Sequence, residues 1–384
     1  NPNLNGSSYY LSARDSDSLN SIFQQISDKI NTDTSSTTLD ENSVIKDVVT
    51  PYFTMPSGAD VKVYTQNFSE NGFDGMDAER TDLEKTVDIT GDTVSVTGFS
   101  FKDNWCGKRT DENGSVTYHG QKLIIEFTVW PKDGFLGGNN VPTNGESSGI
   151  YENKDAKDPV GTFPEPKVNV PVKDVTVTIN AASKNIYYGN DLPTDEQLRL
   201  GATATAKAGE NETIDLWGNL GEMGKFVTPT TVVSKSEGFD GTADGKYTIT
   251  VTLTPQPAEE ESKGNEAQAT SGYATADIYV FKPVITWQDS AIELGETAKY
   301  EDNFAGVKWK HGTDEAKNEM GSAPTLVYEY DKAAAAFTQD TPVKVTVKLG
   351  TLDITSAVTF VHEDCTFKDC NFDAAKGQFI VHIK

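Results

Sequence analysis

The sequence predicts a mainly β chain: successive Ig-like β-sandwich modules with one strand-and-helix element in front of them. Three observations lead there. Short runs alternating apolar with polar residues recur along the chain, among them DTVSVTGFSF from 92, KLIIEFTVW from 122, VTVTI from 175, KYTITVTL from 246, ADIYVF from 276, VKVTVKL from 343 and AVTFV from 357. Such alternation puts one face of a strand on a core and the other in water. Turn-forming residues separate the runs, including the pairs Asn5-Gly6, Asn71-Gly72, Asn113-Gly114 and Asn144-Gly145, as sandwiches require. Only one stretch carries helical spacing.

That stretch comes first. From Ser16 to Ile30 the apolar positions are Leu19, Ile22, Phe23, Ile26 and Ile30, one stripe of a helix. Asp15 or Ser16 can cap it, and the run Tyr9-Tyr10-Leu11 before it reads as a strand. Residues 31–43, NTDTSSTTLDENS, are a polar linker. The run FPEPKVNVPV from Phe163 to Val172, stiffened by three prolines, is an extended connector. The polar stretch 255–272 lies between two strong strands and is expected to be a mobile hairpin loop. A boundary is expected at Lys282-Pro283. The implied domains are 1–30, strand and helix; 31–172, a first β module; 173–282, an Ig-like sandwich; and 283–384, a second sandwich plus a terminal strand. The last two carry a weak repeat, in which an isoleucine precedes a glycine by three residues, Ile186/Gly189 and Ile292/Gly295. In FIVHIK, Phe379, Val381 and Ile383 alternate with Ile380, His382 and Lys384. This strand is expected to pair outside the preceding sandwich, in a following module or a neighbouring subunit. The chain reads as a piece of a longer protein.

The 384 residues hold 33 Lys plus Arg against 58 Asp plus Glu, a net charge of −25. That field repels phosphate backbones, so nucleic acid is not an expected partner. No apolar run approaches the ~18 residues of a membrane span, so insertion is not expected. Four His and three Cys leave little for metal or cofactor chemistry, and neither a metal nor a cofactor is expected. The string FDGTADGKY places Asp240, Thr242, Asp244 and Gly245 like the start of a calcium loop. Its twelfth position is Val251 rather than Glu, so a surface turn is the reading. Asp33-Thr34-Ser35-Ser36-Thr37 mimics a D-x-S-x-S metal motif but sits in the linker. No catalytic constellation is found, and an enzyme is not expected. The four histidines lie scattered in sequence. Cys106 reads as a small buried hydrophobe. Cys365 and Cys370 could close a small disulfide. Of the five tryptophans, Trp287 and Trp309 have core phasing; Trp105, Trp130 and Trp217 lie near turns or strand ends.

One covalent possibility is a Lys–Asn amide crosslink. It needs a desolvated lysine, an asparagine and a carboxyl group to shuttle protons. Lys46 lies between Val44 and Val48 in VIKDVV, Asn144 ends the VPTN turn, and Glu126 interrupts the apolar strand KLIIEFTV. These three are the crosslink candidates.

SSYYLSARDSDSLNSIFQQISDKI resembles the last strand and helix of a von Willebrand A domain. VIKDVVTPYFTMP, VTGFSFKDNWCG and GQKLIIEFTVWPKDGFLGGNNVPTNGESSGIY resemble the Cna-like β module following that domain in surface adhesins and pilus-tip proteins of Gram-positive Firmicutes. DCTFKDCNFDAAKGQFIVHIK is similar to the segment leading into further modules there. The resemblance implies a secreted, wall-anchored, non-enzymatic protein whose head, absent from this chain, contacts a host or bacterial surface protein or glycan. The chain itself lacks the head's metal motif, and LPTDE at 192–196 is not a sorting signal. It is expected to be a stalk that spaces the head and bears load, with possible self-assembly through the terminal strand. The alternative is a set of accessory carbohydrate-binding sandwiches using exposed tryptophans as platforms.

Overall fold

Alternation decides which segments become strands, because a strand with one apolar face is stable only where that face is covered. In the segment Thr93–Thr97, Val94 and Val96 are fully buried while the Thr and Ser between them are half-exposed. In Gly245–Pro255, Tyr247, Ile249, Val251 and Leu253 are buried in the same rhythm. The computed structural model describes residues 39–69, 72–73, 79–110, 112–114, 116–180, 184–209, 213–260, 263–317, 320–363, 367 and 377–384. The expected strand and helix at 1–30, the Asp33 motif, Cys365 and Cys370 lie outside these residues. The fold is mainly β, with two short α-helices among the described residues, Thr81–Glu84 and Asp195–Arg199. The second is capped by Thr194, whose Oγ1 accepts the Gln197 N–H at 3.2 Å while Gln197 Oε1 accepts the Thr194 N–H at 2.9 Å. The LPTDE string is therefore spent on a capping box.

Two compact units are present. One takes the described residues of 1–174 with Ala206–Pro229 and Leu253–Thr270; the other takes Val175–Thr205, Thr230–Thr252 and Ser271–Lys384. Residues 173–282, expected as one module, are divided between them.

In the first unit a five-stranded antiparallel sheet runs in the order Gly161–Thr162, Gly149–Tyr151, Val44–Val48, Thr93–Thr97, Asp88–Thr90. Lys62–Gln66 and Lys122–Glu126 form an antiparallel pair. Ile45, Val63, Leu83, Val96 and Phe99 fill one core, with Leu123 and Ile125 packed against it. Val49, Tyr52, Phe53, Phe135, Val141, Val170 and Phe226 make a second. Gly137 and Gly138 allow the close approach there. At Gly138, φ is +135° and a Cβ would lie 2.4 Å from Phe226 Cβ, so a larger residue would be both strained and blocked.

The 255–272 stretch, expected to be mobile, is fastened within this unit. Asn139 Nδ2 donates to Gln256 O at 2.7 Å, and its Oδ1 accepts the Ala267 N–H at 2.7 Å. Asn140, at φ +58°, donates to Pro257 O at 2.8 Å and accepts the Glu259 N–H at 3.0 Å. Asparagine tolerates this left-handed backbone, and its amide partners two of the loop's backbone groups.

In the second unit two sheets enclose a core. One is built on Val280–Trp287, which pairs antiparallel with Phe304–His311. On its other edge it pairs in parallel with Ile186–Tyr187 and then with Thr359–His362. The second sheet runs in the order Ser290–Ile292, Gln378–Ile383, Thr341–Leu349, Leu326–Tyr330. Ile285, Trp287, Val343, Val345, Val347, Phe379 and Val381 are fully buried between them. The Ile/Gly repeat is structural. Ile186 and Ile292 are buried on short strands. Gly189 and Gly295 turn the chain at φ +84° and +87°. Each short strand pairs in parallel with a later one. The expected joint at Lys282-Pro283 lies in the middle of a continuous strand, Val280–Trp287.

The terminal strand corrects the sequence expectation. Val381, His382 and Ile383 pair with Ser290, Ala291 and Ile292, and residues 378–381 pair with Lys344 back to Thr341. Both edges are taken within its own sandwich, so none remains for donation to a second copy, and the expected self-assembly through this strand is withdrawn. Ile380 and His382 are buried as well as Phe379 and Val381, so both faces are covered and the strand is central.

Candidate functional site

The described side chains converge most densely on polar groups around the terminal strand. Their placement follows from the chain's change of sheet at Gln288-Asp289, between Val280–Trp287 of one sheet and Ser290–Ile292 of the other. The register Trp287↔His362 brings His362 beside this crossing, and His382↔Ala291 brings His382 to its other side. The Asp289 side chain is only 1 % exposed. Its Oδ1 accepts the Ile380 N–H at 2.8 Å and lies 3.2 Å from His362 Nε2. Its Oδ2 lies 3.3 Å from His382 Nε2. One carboxylate thus meets an imidazole from each sheet.

The other ring nitrogen of His382, Nδ1, lies 2.8 Å from Asp340 Oδ2. Asp340 Oδ1 accepts the Ile383 N–H at 2.9 Å. This backbone bond, and then the His382 contact, hold the Asp340 carboxyl below the usual aspartate range. The Phe367 ring stacks on the His382 imidazole, centroids 4.4 Å apart. Fully buried Asn303 completes the surround. Its Nδ2 donates to Gln288 O at 3.0 Å and Ile380 O at 3.4 Å, and its Oδ1 accepts the Ser290 hydroxyl at 2.9 Å. Beneath, Phe379 stacks on Trp287 at 5.2 Å. Among the described residues no group of three or more His, Cys, Asp or Glu is arranged to hold a metal ion. The arrangement joins two sheets and a strand through hydrogen bonds.

The sequence-nominated residues lie elsewhere. Lys46 carries its ammonium over the Tyr151 ring, 5.3 Å from the centroid. Asn144 donates from Nδ2 to Asp47 Oδ2 at 3.3 Å. Asp47 and Lys46 are successive on one strand and so project to opposite faces; Ile45, on the Asp47 side, enters the core. Glu126 is exposed and registers with Lys62 on the separate strand pair. The structure therefore does not bring Lys46, Asn144 and Glu126 together. It shows instead a desolvated carboxylate, Asp47, whose pKa burial raises, with the Ser148 hydroxyl at 3.2 Å opposing the rise.

Cys106 is a free, half-buried thiol whose Sγ donates to Asn67 Oδ1 at 3.5 Å. Asp240 accepts the Thr242 N–H and hydroxyl, closing a turn. Asp244 accepts the Val280 N–H at 2.8 Å and contacts His311 Nε2 at 2.8 Å. Trp287 and Trp309 are buried, Trp217 is half-buried, and Trp130 is 59 % exposed. No helix among the described residues is long and apolar enough to cross a membrane.

In the sequence the histidines are scattered. In the fold His362 and His382 converge on an aspartate 73 and 93 residues away. The only local signal was an imidazole inside the apolar run FIVHI. No protein-family model matches the chain, and no curated protein matches it.

Proposed function

We propose that the chain is a non-enzymatic, load-bearing stalk region of a secreted cell-surface adhesin or pilus-type protein of the Gram-positive kind, which holds and spaces a binding head. The observation that carries this reading is the pairing of Ser290–Ile292 with Gln378–Ile383 in parallel. Tension between the two chain ends pulls the first strand from its N-terminal end and the second from its C-terminal end. Parallel neighbours pulled this way slide past one another, so their hydrogen bonds share the load. The flanking antiparallel ladder to Thr341–Leu349 adds bonds to the same strand. Val280–Trp287, running without a break from its ladder with Ile186–Tyr187 into the last sandwich, leaves no slack segment there. Among the tryptophans whose burial is described, Trp130 alone is exposed, which falls short of the row of two or more that a glycan platform would use.

Single-molecule pulling tests it. Handles at the two chain ends load the terminal strand in shear. Handles at Gln339 and Lys384, which sit at the same end of the antiparallel pair Thr341↔Val381, peel that ladder bond by bond. The shear geometry should yield at the higher force. Equal forces in the two geometries would remove the basis of the proposal.

A further inference from the structure

We propose that the terminal strand is held by a proton-dependent latch, in which a doubly protonated His382 bridges the carboxylates of Asp289 and Asp340. The inference rests on the strand's own hydrogen bonds and not on the load-bearing reading.

The argument is a count of donors. A carboxylate only accepts. A neutral imidazole donates at one nitrogen and carries a lone pair on the other; the imidazolium donates at both. His382 has a carboxylate oxygen at each nitrogen, 2.8 Å from Nδ1 and 3.3 Å from Nε2. Either neutral tautomer therefore points a lone pair at a carboxylate inside a site where the His382 side chain is 6 % exposed and Asp289 1 %. The Asp340 side chain is itself 48 % exposed, so the mismatch is sharpest at Asp289, where a buried acceptor facing an acceptor is destabilising. The imidazolium satisfies both carboxylates. It also places one positive charge between two negative ones; among the described residues His362 is a further titratable neighbour, 3.2 Å from Asp289. Among the described residues the groups facing His382 are Asp289 at the sheet crossing, Asp340 ahead of Thr341–Leu349, His362 across Asp289, and the uncharged Phe367 ring.

The two carboxylates also grip the strand's backbone, through the N–H groups of Ile380 and Ile383. Losing the proton from His382 thus loosens the side chain and leaves the two carboxylates repelling each other across the strand. The Asp340 carboxylate gives the latch an acid limit. Asp340, held below the ordinary aspartate range, stabilises the fold above that range and ceases to as pH falls through its own depressed value.

The test is hydrogen exchange of the Ile380 and Ile383 amides in the full chain, corrected for intrinsic rates. It is read between about pH 5 and about pH 8, the span over which histidine charge changes, with ¹⁵N shifts of the His382 ring recorded alongside. At the acid end both ring nitrogens should carry protons. Protection should fall roughly ten- to a hundredfold towards the alkaline end, the worth of a hydrogen bond to a charged group, while Val94 and Val96 in the first unit hold theirs. In Asp340→Asn a neutral ring can donate to Asp289 alone, so the pH dependence should shrink. In His382→Gln only the part carried by His362 should remain. Protection independent of pH in the wild-type chain, or a bare ring nitrogen at the acid end, would overturn the proposal. The ring shifts are read on the wild type, so the proposal stays open to refutation even where a variant fails to fold.

Discussion

Phe379→Ala should cost the second unit about 4–5 kcal/mol, near the top of the ~3–5 kcal/mol range for deleting a buried phenylalanine. Phe379 is fully buried. Its ring stacks on Trp287 at 5.2 Å and meets Tyr300 edge-on at 5.4 Å and Tyr330 at 6.1 Å. Such aromatic pairs add ~0.5–1.5 kcal/mol beyond area burial. The cavity cannot readily collapse, because Val343, Val345 and Val347 are fixed on a strand paired on both sides. Against the ~5–15 kcal/mol total of a domain, about a quarter or more of the stability would go. Exchange of the Val343, Val345 and Val347 amides reports the unit's largest opening free energy, and Val94 and Val96 serve as an internal reference. Leu352→Ala, at a side chain 59 % exposed, should stay within ~0.5 kcal/mol. A Phe379→Ala cost below about 1.5 kcal/mol would show that the terminal strand does not complete this core.

Two further outcomes follow from the first unit. Burial raises the Asp47 pKa above 3.8, so the folded state binds a proton more tightly than the unfolded one. Stability of that unit should therefore rise as pH falls from neutral towards the ordinary aspartate range, and Asp47→Asn should remove that rise; a variant retaining the wild-type slope would assign it to another group. Asn139→Ala removes two bonds that fasten the 256–269 loop, leaving partners without a mate at ~1–3 kcal/mol each. Limited proteolysis should then cut within that loop faster than in the wild type, and an unchanged cleavage pattern would show that Asn140, together with Asn169, whose Nδ2 donates to Asn265 O at 3.2 Å, suffices.

Where a strand has one wet face, the sequence was a sound guide: VKVTVKL and KYTITVTL bury every second residue. FIVHIK misled because it looks like such a strand, with His382 and Lys384 on its wet side. In fact the run is central, and His382 is buried because Asp289 and Asp340 meet its nitrogens. Long-range partners of this kind leave no local periodicity. The short parallel strands at 186–187 and 290–292 were equally silent, since two or three residues carry no pattern, although the Ile/Gly spacing marked their turns. Lys46 suggested a desolvated ammonium by its apolar neighbours. Strand alternation instead put half-buried Asp47 on the core side, and the lysine ammonium lies over the Tyr151 ring.

The central place of Gln378–Ile383 also governs assembly in time. Until residue 383 has left the ribosome, Ser290–Ile292 lacks its parallel neighbour and Thr341–Leu349 keeps a bare edge. Contacts such as Asp289 with Ile380 span 91 residues. A sandwich closed by so distant a pairing folds slowly, and its open edge is a template for pairing with other chains. Synthesis at ~5–20 residues per second leaves that edge uncovered for about two to seven seconds after Leu349 emerges. Any factor that shields nascent strands would act on this sheet in that interval, and a transcript cut short before residue 378 would yield a chain that keeps the edge open permanently.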